Sequence, residues 1–355
     1  MNINGRAIGE GEKPYIIAEI SCNHAGRLDI LLDTIKAARD CGVDAVKLQT
    51  YTADDLTIKS DKEYFKLDEK EWGPGTYYDL YKANAMPAEF HEPAFILAKD
   101  LGLTIFSTPF SVEAVDFLET YNVPAYKIAS MEANHTQLVQ KIFSTHKPVI
   151  ISLGGMSDKN VMDLLVTLPD EYRRNKLCLL HCISEYPAKP ENMHLNRLRS
   201  LNKMAEHAGI DCIFGLSDHS ISPDAAMIAV ALGASVIEHH FILNDRVSSP
   251  DSKFSFTPLE MRYYVKRIHE AYDILGNVGT IPAVNKYARC IYTVKPIKKG
   301  EAFTADNIKF LRPAKGPLTS GRDYLDLIEC KATAAWDIDA EQPLLSDDID
   351  TLYSI

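Results

Sequence analysis

Short apolar runs rich in β-branched residues recur at 15–21, 45–50, 103–109, 125–130, 148–154, 177–184, 212–219 and 235–241, and each runs into polar residues at its carboxyl end. Runs of this length without polar alternation read as strands buried on both faces. Between them the apolar positions shift to helical spacing, most clearly over 31–41, 87–101 and 223–232, and Gly42, Gly102 and Gly233 follow as stops. A glycine there ends a helix because it alone enters the left-handed region without steric cost. Eight strands alternating with helices predict an α/β (β/α)8 TIM barrel. A doubly wound open sheet is the alternative, but no dinucleotide-binding glycine fingerprint favours it. One connection breaks the rhythm: residues 54–86 are long and polar and enclose Trp72-Gly73-Pro74-Gly75-Thr76-Tyr77-Tyr78. A loop of that length at the carboxyl end of a barrel strand is expected to cover or shape a pocket.

The pattern changes near residue 280. Residues 277–284 read as a linker between a barrel spanning 1–276 and a compact β-rich module spanning 285–355. The module holds a faint repeat, in which Ile297, Glu301, Phe303, Asp306 and Ile308 are echoed by Ile338, Gln342, Leu344, Asp347 and Ile349. Two related halves packed on each other are expected. So small a unit has little core of its own, and docking onto the barrel or a partner chain would stabilise it.

Composition narrows the function. The chain has 355 residues, 46% of them hydrophobic, and a formal net charge of −11. That balance argues against nucleic acid or an anionic membrane as a partner, so an anionic substrate must be held by local lysines or arginines. Seven cysteines without a Cys-x-x-Cys pair suit reduced thiols rather than a disulfide framework. The sequence shows neither a secretory leader pattern nor an apolar run long enough to span a bilayer, so a cytoplasmic location is expected.

In a parallel barrel the chemistry gathers at the carboxyl ends of the strands. There the sequence offers Glu19, Asn23 and His24; Lys47 and Gln49; Ser107 and Thr108; Lys127, Ser130 and Glu132; Ser152; His181, Ser184, Glu185 and Tyr186; Ser217 and His219; and Glu238 and His240. Side chains alternate faces along a strand, so Ser217 shares a face with His219, and Glu238 with His240. A carboxylate is easier to hydrate and pair inside the barrel mouth than against a helix, which turns Glu238 and His240 inward and His239 outward. Two imidazoles from adjacent strand ends then converge on one divalent ion, leaving positions open for substrate and water. Lys47 and Lys127, with nearby hydroxyls and the Gly154-Gly155 backbone, form a cradle for a small phosphorylated anion. Cys22 and Cys182 lie near these groups and read as buried bystanders.

Several of these segments resemble the sialic acid (nonulosonic acid) synthase family nearly end to end. The motifs are Ala18-Glu19-Ile20-Ser21-Cys22-Asn23-His24-Ala25-Gly26, Val46-Lys47-Leu48-Gln49-Thr50, Phe106-Ser107-Thr108-Pro109-Phe110 and Tyr126-Lys127-Ile128-Ala129-Ser130-Met131-Glu132. The segment 181–187, Ser217-Asp218-His219-Ser220 and Glu238-His239-His240-Phe241 complete them, and Lys299-Gly300-Glu301 with Leu311-Arg312-Pro313 marks a carboxyl-terminal antifreeze-like (SAF) domain. The resemblance implies condensation of phosphoenolpyruvate with an open-chain amino sugar, with release of phosphate by C–O cleavage. It implies that His219 and His240 bind Mn2+ or Mg2+, that Lys47, Thr108, Lys127, Ser130, Ser152 and Ser217 hold phosphoenolpyruvate, and that Glu19, Glu132, Tyr186 and Asp251 face the sugar. Glu19 or Glu132 would serve as acid or base, or hydrogen bond to sugar hydroxyls. Arg312 would reach the sugar bound to the partner subunit, which makes the working unit a domain-swapped homodimer.

Three positions depart from the family pattern: Ile183 in place of an asparagine, Met131 in place of a glycine, and Ser152-Leu153-Gly154-Gly155-Met156 in place of a Ser-Thr-Gly-Met run. The stretch 72–83 and the Met131 variant are more similar to pseudaminic acid synthases and spore-coat polysaccharide relatives than to N-acetylneuraminate synthases. The implied acceptor is a 2,4-diacetamido-2,4,6-trideoxy hexose, with N-acetylmannosamine as the alternative. A metal-dependent aldolase and a non-catalytic carbohydrate-binding protein are the readings from other classes. A synthase liberates phosphate only when an acceptor is present, an aldolase uses free pyruvate, and a binding module does neither.

Overall fold

The computed structural model describes residues 1–69, 73–276 and 287–350. Trp72 and the 277–284 linker lie outside the described residues. The chain divides into two compact units, Met1–Asn277 and Val278–Ile355.

The first unit opens with a two-residue hairpin, β1 (Asn2–Ile3) and β2 (Arg6–Ala7). Eight strands follow: β3 (Tyr15–Glu19), β4 (Ala45–Thr50), β5 (Thr104–Pro109), β6 (Tyr126–Ile128), β7 (Val149–Ser152), β8 (Arg174–Cys182), β9 (Asp211–Asp218) and β10 (Val236–His240). They close in the order β10-β3-β4-β5-β6-β7-β8-β9, every pair parallel. The expected TIM barrel is thus present.

Both faces of the strands are apolar, and each meets a different partner. Ile16, Ala18, Val46 and Leu48 face outward and pack on Leu31, Ile35 and Ala38 of helix Leu28–Cys41. That helix starts three residues before the apolar spacing begins and stops at Gly42, whose φ of +84° no β-carbon would tolerate cheaply. The segment read as one helix over 87–101 opens with a 3-10 turn, Ala88–Phe90, before the α-helix His91–Asp100.

Inside the barrel, Tyr15, Ile17, Ala45, Phe106, Ala125, Ile150, Cys178, Leu180 and Val236 form one apolar plug. Ile3 and Ile8 join it, so the β1–β2 hairpin seals the amino-terminal end. At Gly215 an added β-carbon would fall 2.2 Å from the Val236 carbonyl oxygen and 2.6 Å from a Leu180 methyl, so glycine on β9 is what lets Leu180 into the interior. With the lower half filled by carbon, the polar inward positions are confined to the carboxyl-terminal mouth.

The 54–86 connection carries short helices, Ala53–Leu56 and Tyr77–Asn84 among them. Thr52 and Asp55 form a capping box on the first, and the Thr76 hydroxyl caps the second. No helix among the described residues is long and apolar enough to cross a membrane.

In the second unit β11 (Cys290–Thr293) pairs antiparallel with β12 (Ile308–Leu311), and helix Gly321–Glu329 follows. Ile297 and Ile338 exchange both backbone hydrogen bonds at 2.8 Å. The repeat positions therefore meet each other. Phe303, Ile308 and Leu344 fill the same small core.

Candidate active site

Ten inward side chains line or support the mouth: Glu19 from β3, Lys47 and Gln49 from β4, Thr108 from β5, Lys127 from β6, Ser152 from β7, Cys182 from β8, Ser217 from β9, and Glu238 and His240 from β10. They enclose, with the loops above, a cavity of about 340 Å³. Register explains the gathering. Glu19 is level with both Lys47 and His240, and Glu238 with Ser217, so the charged residues form one ring.

The ring is ordered around two buried lysines. Lys47 Nζ pairs closely with Glu19 Oε2, donates to Thr108 Oγ1 at 3.0 Å and lies 3.8 Å from Glu238 Oε1. Lys127 Nζ donates to Ser152 Oγ at 2.6 Å and to the Ile128 carbonyl at 3.1 Å, and sits 3.9 Å from the same Glu238 oxygen. Gln49 steadies Glu19 at 3.0 Å, and Ser217 donates to Glu238 Oε1 at 3.2 Å. Glu238 thus bridges the lysines, while its Oε2 is buried without a hydrogen-bond partner.

The lysines are not equivalent. Burial works against the charge of each, but at Lys47 the Glu19 and Glu238 carboxylates outweigh it and raise the pKa. At Lys127 burial wins and lowers the pKa, since Glu238 offsets it only in part and Lys47 repels it. Glu238, although buried, is held below the usual carboxylate range by both lysines. Burial pushes the Glu132 carboxyl up.

Beside Lys127 the backbone itself becomes a donor surface. The strand read over 148–154 ends at Ser152, because the chain turns there: the Gly154 amide donates to Ser130 Oγ at 2.9 Å and Gly155 takes a φ of +72°. A β-carbon at Gly154 would sit 2.8 Å from Ser130 Oγ and 2.9 Å from Ser184 Oγ. Two hydroxyls packed against a glycine turn next to a buried ammonium are suited to a phosphate.

The two histidines complete the mouth. His219, one residue beyond β9, donates from Nδ1 to the Ile183 carbonyl at 2.8 Å, which fixes its tautomer and frees Nε2. Burial lowers its pKa, so it is a neutral imidazole, the form that ligates metal. His240 lies with its ring centroid 5.4 Å from that of His219, and its Nδ1 is buried without a hydrogen-bond partner, 3.4 Å from Asp251 Oδ2. Asp251 is positioned by a short hydrogen bond from Ser21, and His240 holds its carboxyl down against the effect of burial. Among the described residues no group of three His, Cys, Asp or Glu side chains gathers to hold a metal. Two free imidazoles with the rest of the sphere left to water and substrate fit an open catalytic site and not a closed structural one. His239 points outward, stacked on Phe256 at 3.8 Å.

The remaining residues singled out in the sequence fall as follows. Ser130, Glu132, Tyr186 and Asp251 line the cavity, Tyr186 resting its ring 4.3 Å from His219 and half exposed. Cys22 and Cys182 line it too, and burial pushes the Cys22 thiol up to about 12, so neither location makes a ready thiolate. Asn23, His24, Ser107 and His181 do not enter the cavity. Asn23 braces Phe241 and Ser255, His24 packs edge-on to Phe90, Ser107 bonds Thr50, and His181 bonds the Met193 carbonyl. Arg312 lies in the second unit, exposed, directly after β12.

Lining residues without an earlier assignment include Ser21, Tyr51, Leu56, Leu80, Tyr81, Asn84 and Phe110. Four of them, Leu56, Leu80, Tyr81 and Asn84, belong to 54–86, where the length of the insertion was the signal but not which side chains would turn inward. A larger cavity of about 690 Å³ lies outside the barrel between helices Thr136–Phe143 and Asp158–Val166. Its charged groups, Asp163, His146 and Glu171, are already paired at the surface, so no catalytic set converges there.

A NeuB family model matches residues 34–280 and a SAF domain model residues 288–350. This chain belongs to the NeuB family. It is 40% identical to a pseudaminic acid synthase of Campylobacter jejuni over 328 residues, which is 91% of this chain and 93% of the relative. It is 37% identical to the pseudaminic acid synthase of Helicobacter pylori over 96% of this chain and 98% of the relative. The crystal structure of the Bacillus subtilis spore coat polysaccharide biosynthesis protein spsE matches with a TM-score of 0.66 at 30% identity, covering 98% of each chain.

Proposed function

We propose that this NeuB-family enzyme condenses phosphoenolpyruvate with the open-chain form of a 2,4-diacetamido-2,4,6-trideoxy hexose, giving pseudaminic acid and phosphate. The observation that carries the reading is the buried Lys47–Glu238–Lys127 array, set between a hydroxyl and glycine cradle and two free imidazoles. The similarity to pseudaminic acid synthases at 37–40% identity supports the choice of sugar.

C3 of phosphoenolpyruvate attacks the aldehyde carbon, water adds at C2, and the C2–O bond to phosphate breaks. Lys127, Ser130, Ser152 and the Gly154 turn hold the phosphate, while Lys47, Thr108 and Ser217 fix the rest of phosphoenolpyruvate. A divalent ion, Mn2+ or Mg2+, held by His219 and His240 would polarise the aldehyde. Glu132, whose carboxyl is pushed up by burial, supplies a proton to the developing alkoxide; of the two protons of the attacking water, one returns to Glu132 and the other leaves with the phosphate as the C2 carbonyl forms. Glu19, tied to Lys47 and Gln49, orients a sugar hydroxyl, and Tyr186 and Asp251 bound the sugar on the histidine side. Aligning two substrates this way supplies most of what the protein contributes. The setting is cytoplasmic, where both substrates are small soluble metabolites.

The test is phosphate release from phosphoenolpyruvate across a panel of amino sugars. Release is expected only with an acceptor, and most rapidly with the trideoxy diacetamido hexose; faster release with N-acetylmannosamine would reassign the sugar, and turnover of free pyruvate would indicate an aldolase.

The working unit in this proposal is a domain-swapped homodimer in which Arg312 of the partner subunit reaches the sugar. A guanidinium there offers several fixed donors, which a lysine would not reproduce. Arg312→Ala is expected to lose acceptor affinity or turnover with its fold intact. Mixed with Lys47→Ala under subunit exchange, it should regain up to about half of the activity expected of a dimer, because one barrel then has both intact Lys47 and a partner's intact arginine. No recovery despite proven exchange would place the arginine in its own subunit's site.

A further inference from the structure

The two sides of the cavity differ in chemistry. One carries the lysines, carboxylates and imidazoles. The other is largely carbon: Tyr51 just after β4, Leu56 at the end of its helix, Leu80 and Tyr81 from helix Tyr77–Asn84, and Phe110 just after β5, with Asn84 and the Tyr51 and Tyr81 hydroxyls as its polar groups. The rings brace one another. Tyr51 meets Phe110 edge-on with centroids 5.2 Å apart and Tyr81 at 6.3 Å, and Tyr77 stacks on Tyr81 at 6.1 Å. This wall is held by capped helices and is a shaped surface, not a loose flap.

We infer that this wall is the specificity surface for the end of the acceptor remote from its aldehyde, and that it selects a C6 methyl group over a C6 hydroxymethyl. The inference rests on the synthase reading above. The aldehyde carbon has to meet phosphoenolpyruvate between Lys127 and the two histidines, on the charged side. The far end of the open chain is then directed across the cavity to the carbon side. A methyl group packs there against leucine and ring faces and needs no partner. A hydroxyl packed against Leu56, Leu80 and the ring faces gives up water and meets carbon, which leaves it without a good hydrogen bond. The cavity's carboxylates, Glu19, Glu132 and Asp251, would favour a hydroxyl, so the selection cannot come from them. An apolar surface of this kind discriminates against an added hydroxyl by roughly 10- to 100-fold.

The experiment compares kcat/KM for phosphate release with two acceptors that differ only at C6, one 6-deoxy and one 6-hydroxy, in the wild type, Leu80→Asn, Leu56→Asn and Leu80→Met. The wild type should favour the 6-deoxy acceptor by roughly 10- to 100-fold. Each asparagine variant should bring the two acceptors to within about threefold of each other, chiefly by losing activity on the 6-deoxy sugar, and Leu80→Met should keep the wild-type ratio. A general packing defect would lower both acceptors together and leave the ratio where it was. A wild type without preference, or asparagine variants with the wild-type ratio, overturns the inference while leaving the synthase reading in place. Phosphate release with neither sugar would sink the synthase reading and this inference with it.

Discussion

Lys127→Met is expected to lower turnover of phosphoenolpyruvate by about 10²–10³-fold, the loss typical of removing one preorganised charge from a reaction site. Its melting temperature is expected to fall. The two outcomes follow from the same burial. Lys127 is enclosed, its ammonium is disfavoured by desolvation, and its nearest carboxylate, Glu238, retains Lys47 at 3.8 Å. Methionine keeps the length of the side chain but takes one of two cations from buried Glu238 and the donor from Ser152, and removing one member of a buried charge array destabilises. The phosphate cradle loses the one cation set against Ser152 and Ile128. A Lys127→Met enzyme with wild-type kcat/KM would remove this lysine from the substrate site.

The same shift has a sign in pH. The pKa of Lys127 lies below that of an ordinary lysine, so as pH rises its charge is lost earlier than an ordinary lysine's. KM for phosphoenolpyruvate should therefore climb on the alkaline side. A Lys127→Met variant should lack that alkaline rise, which initial-rate measurements across the pH range will detect.

His219→Ala and His240→Ala are each expected to weaken binding of Mn2+ or Mg2+ by at least about 100-fold and to abolish turnover at ordinary metal concentrations. Each removes one of the two imidazoles whose ring centroids lie 5.4 Å apart in the mouth. Ile183 matters here as a backbone acceptor: its carbonyl fixes the His219 tautomer whatever side chain it bears, so the departure from asparagine at this position leaves the ligand orientation intact. Titration calorimetry with each ion reads the affinity independently of catalysis. Full turnover after exhaustive chelation, or unaltered ion binding in either variant, would exclude the histidines as ligands.

The barrel was legible because each strand is buried on both faces and therefore stands out as a short apolar run that ends where the chemistry begins. Alternation, together with the easier hydration of a carboxylate in the mouth, turned Glu238 and His240 inward and His239 outward. The β1–β2 hairpin was not anticipated, although Asn4-Gly5 is a strong two-residue turn signal; flanking runs of two residues are too short to show alternation. Leu56, Leu80 and Tyr81 were unreadable as site residues for a different reason. They reach the cavity only because a capped insertion folds back over the mouth, and a leucine on a short helix looks the same whether it faces a substrate or a core. The roles of Asn23 and His24 misled in the opposite way, since polar residues at a strand end also serve to tie down the loops that surround a site.

The account stands or falls on what leaves phosphoenolpyruvate and how. With oxygen-18 in the bridging position between C2 and phosphorus, and with an amino-sugar acceptor present, the label is expected in the released phosphate, because water adds at C2 and the C–O bond breaks. Label retained in the sugar acid would contradict it.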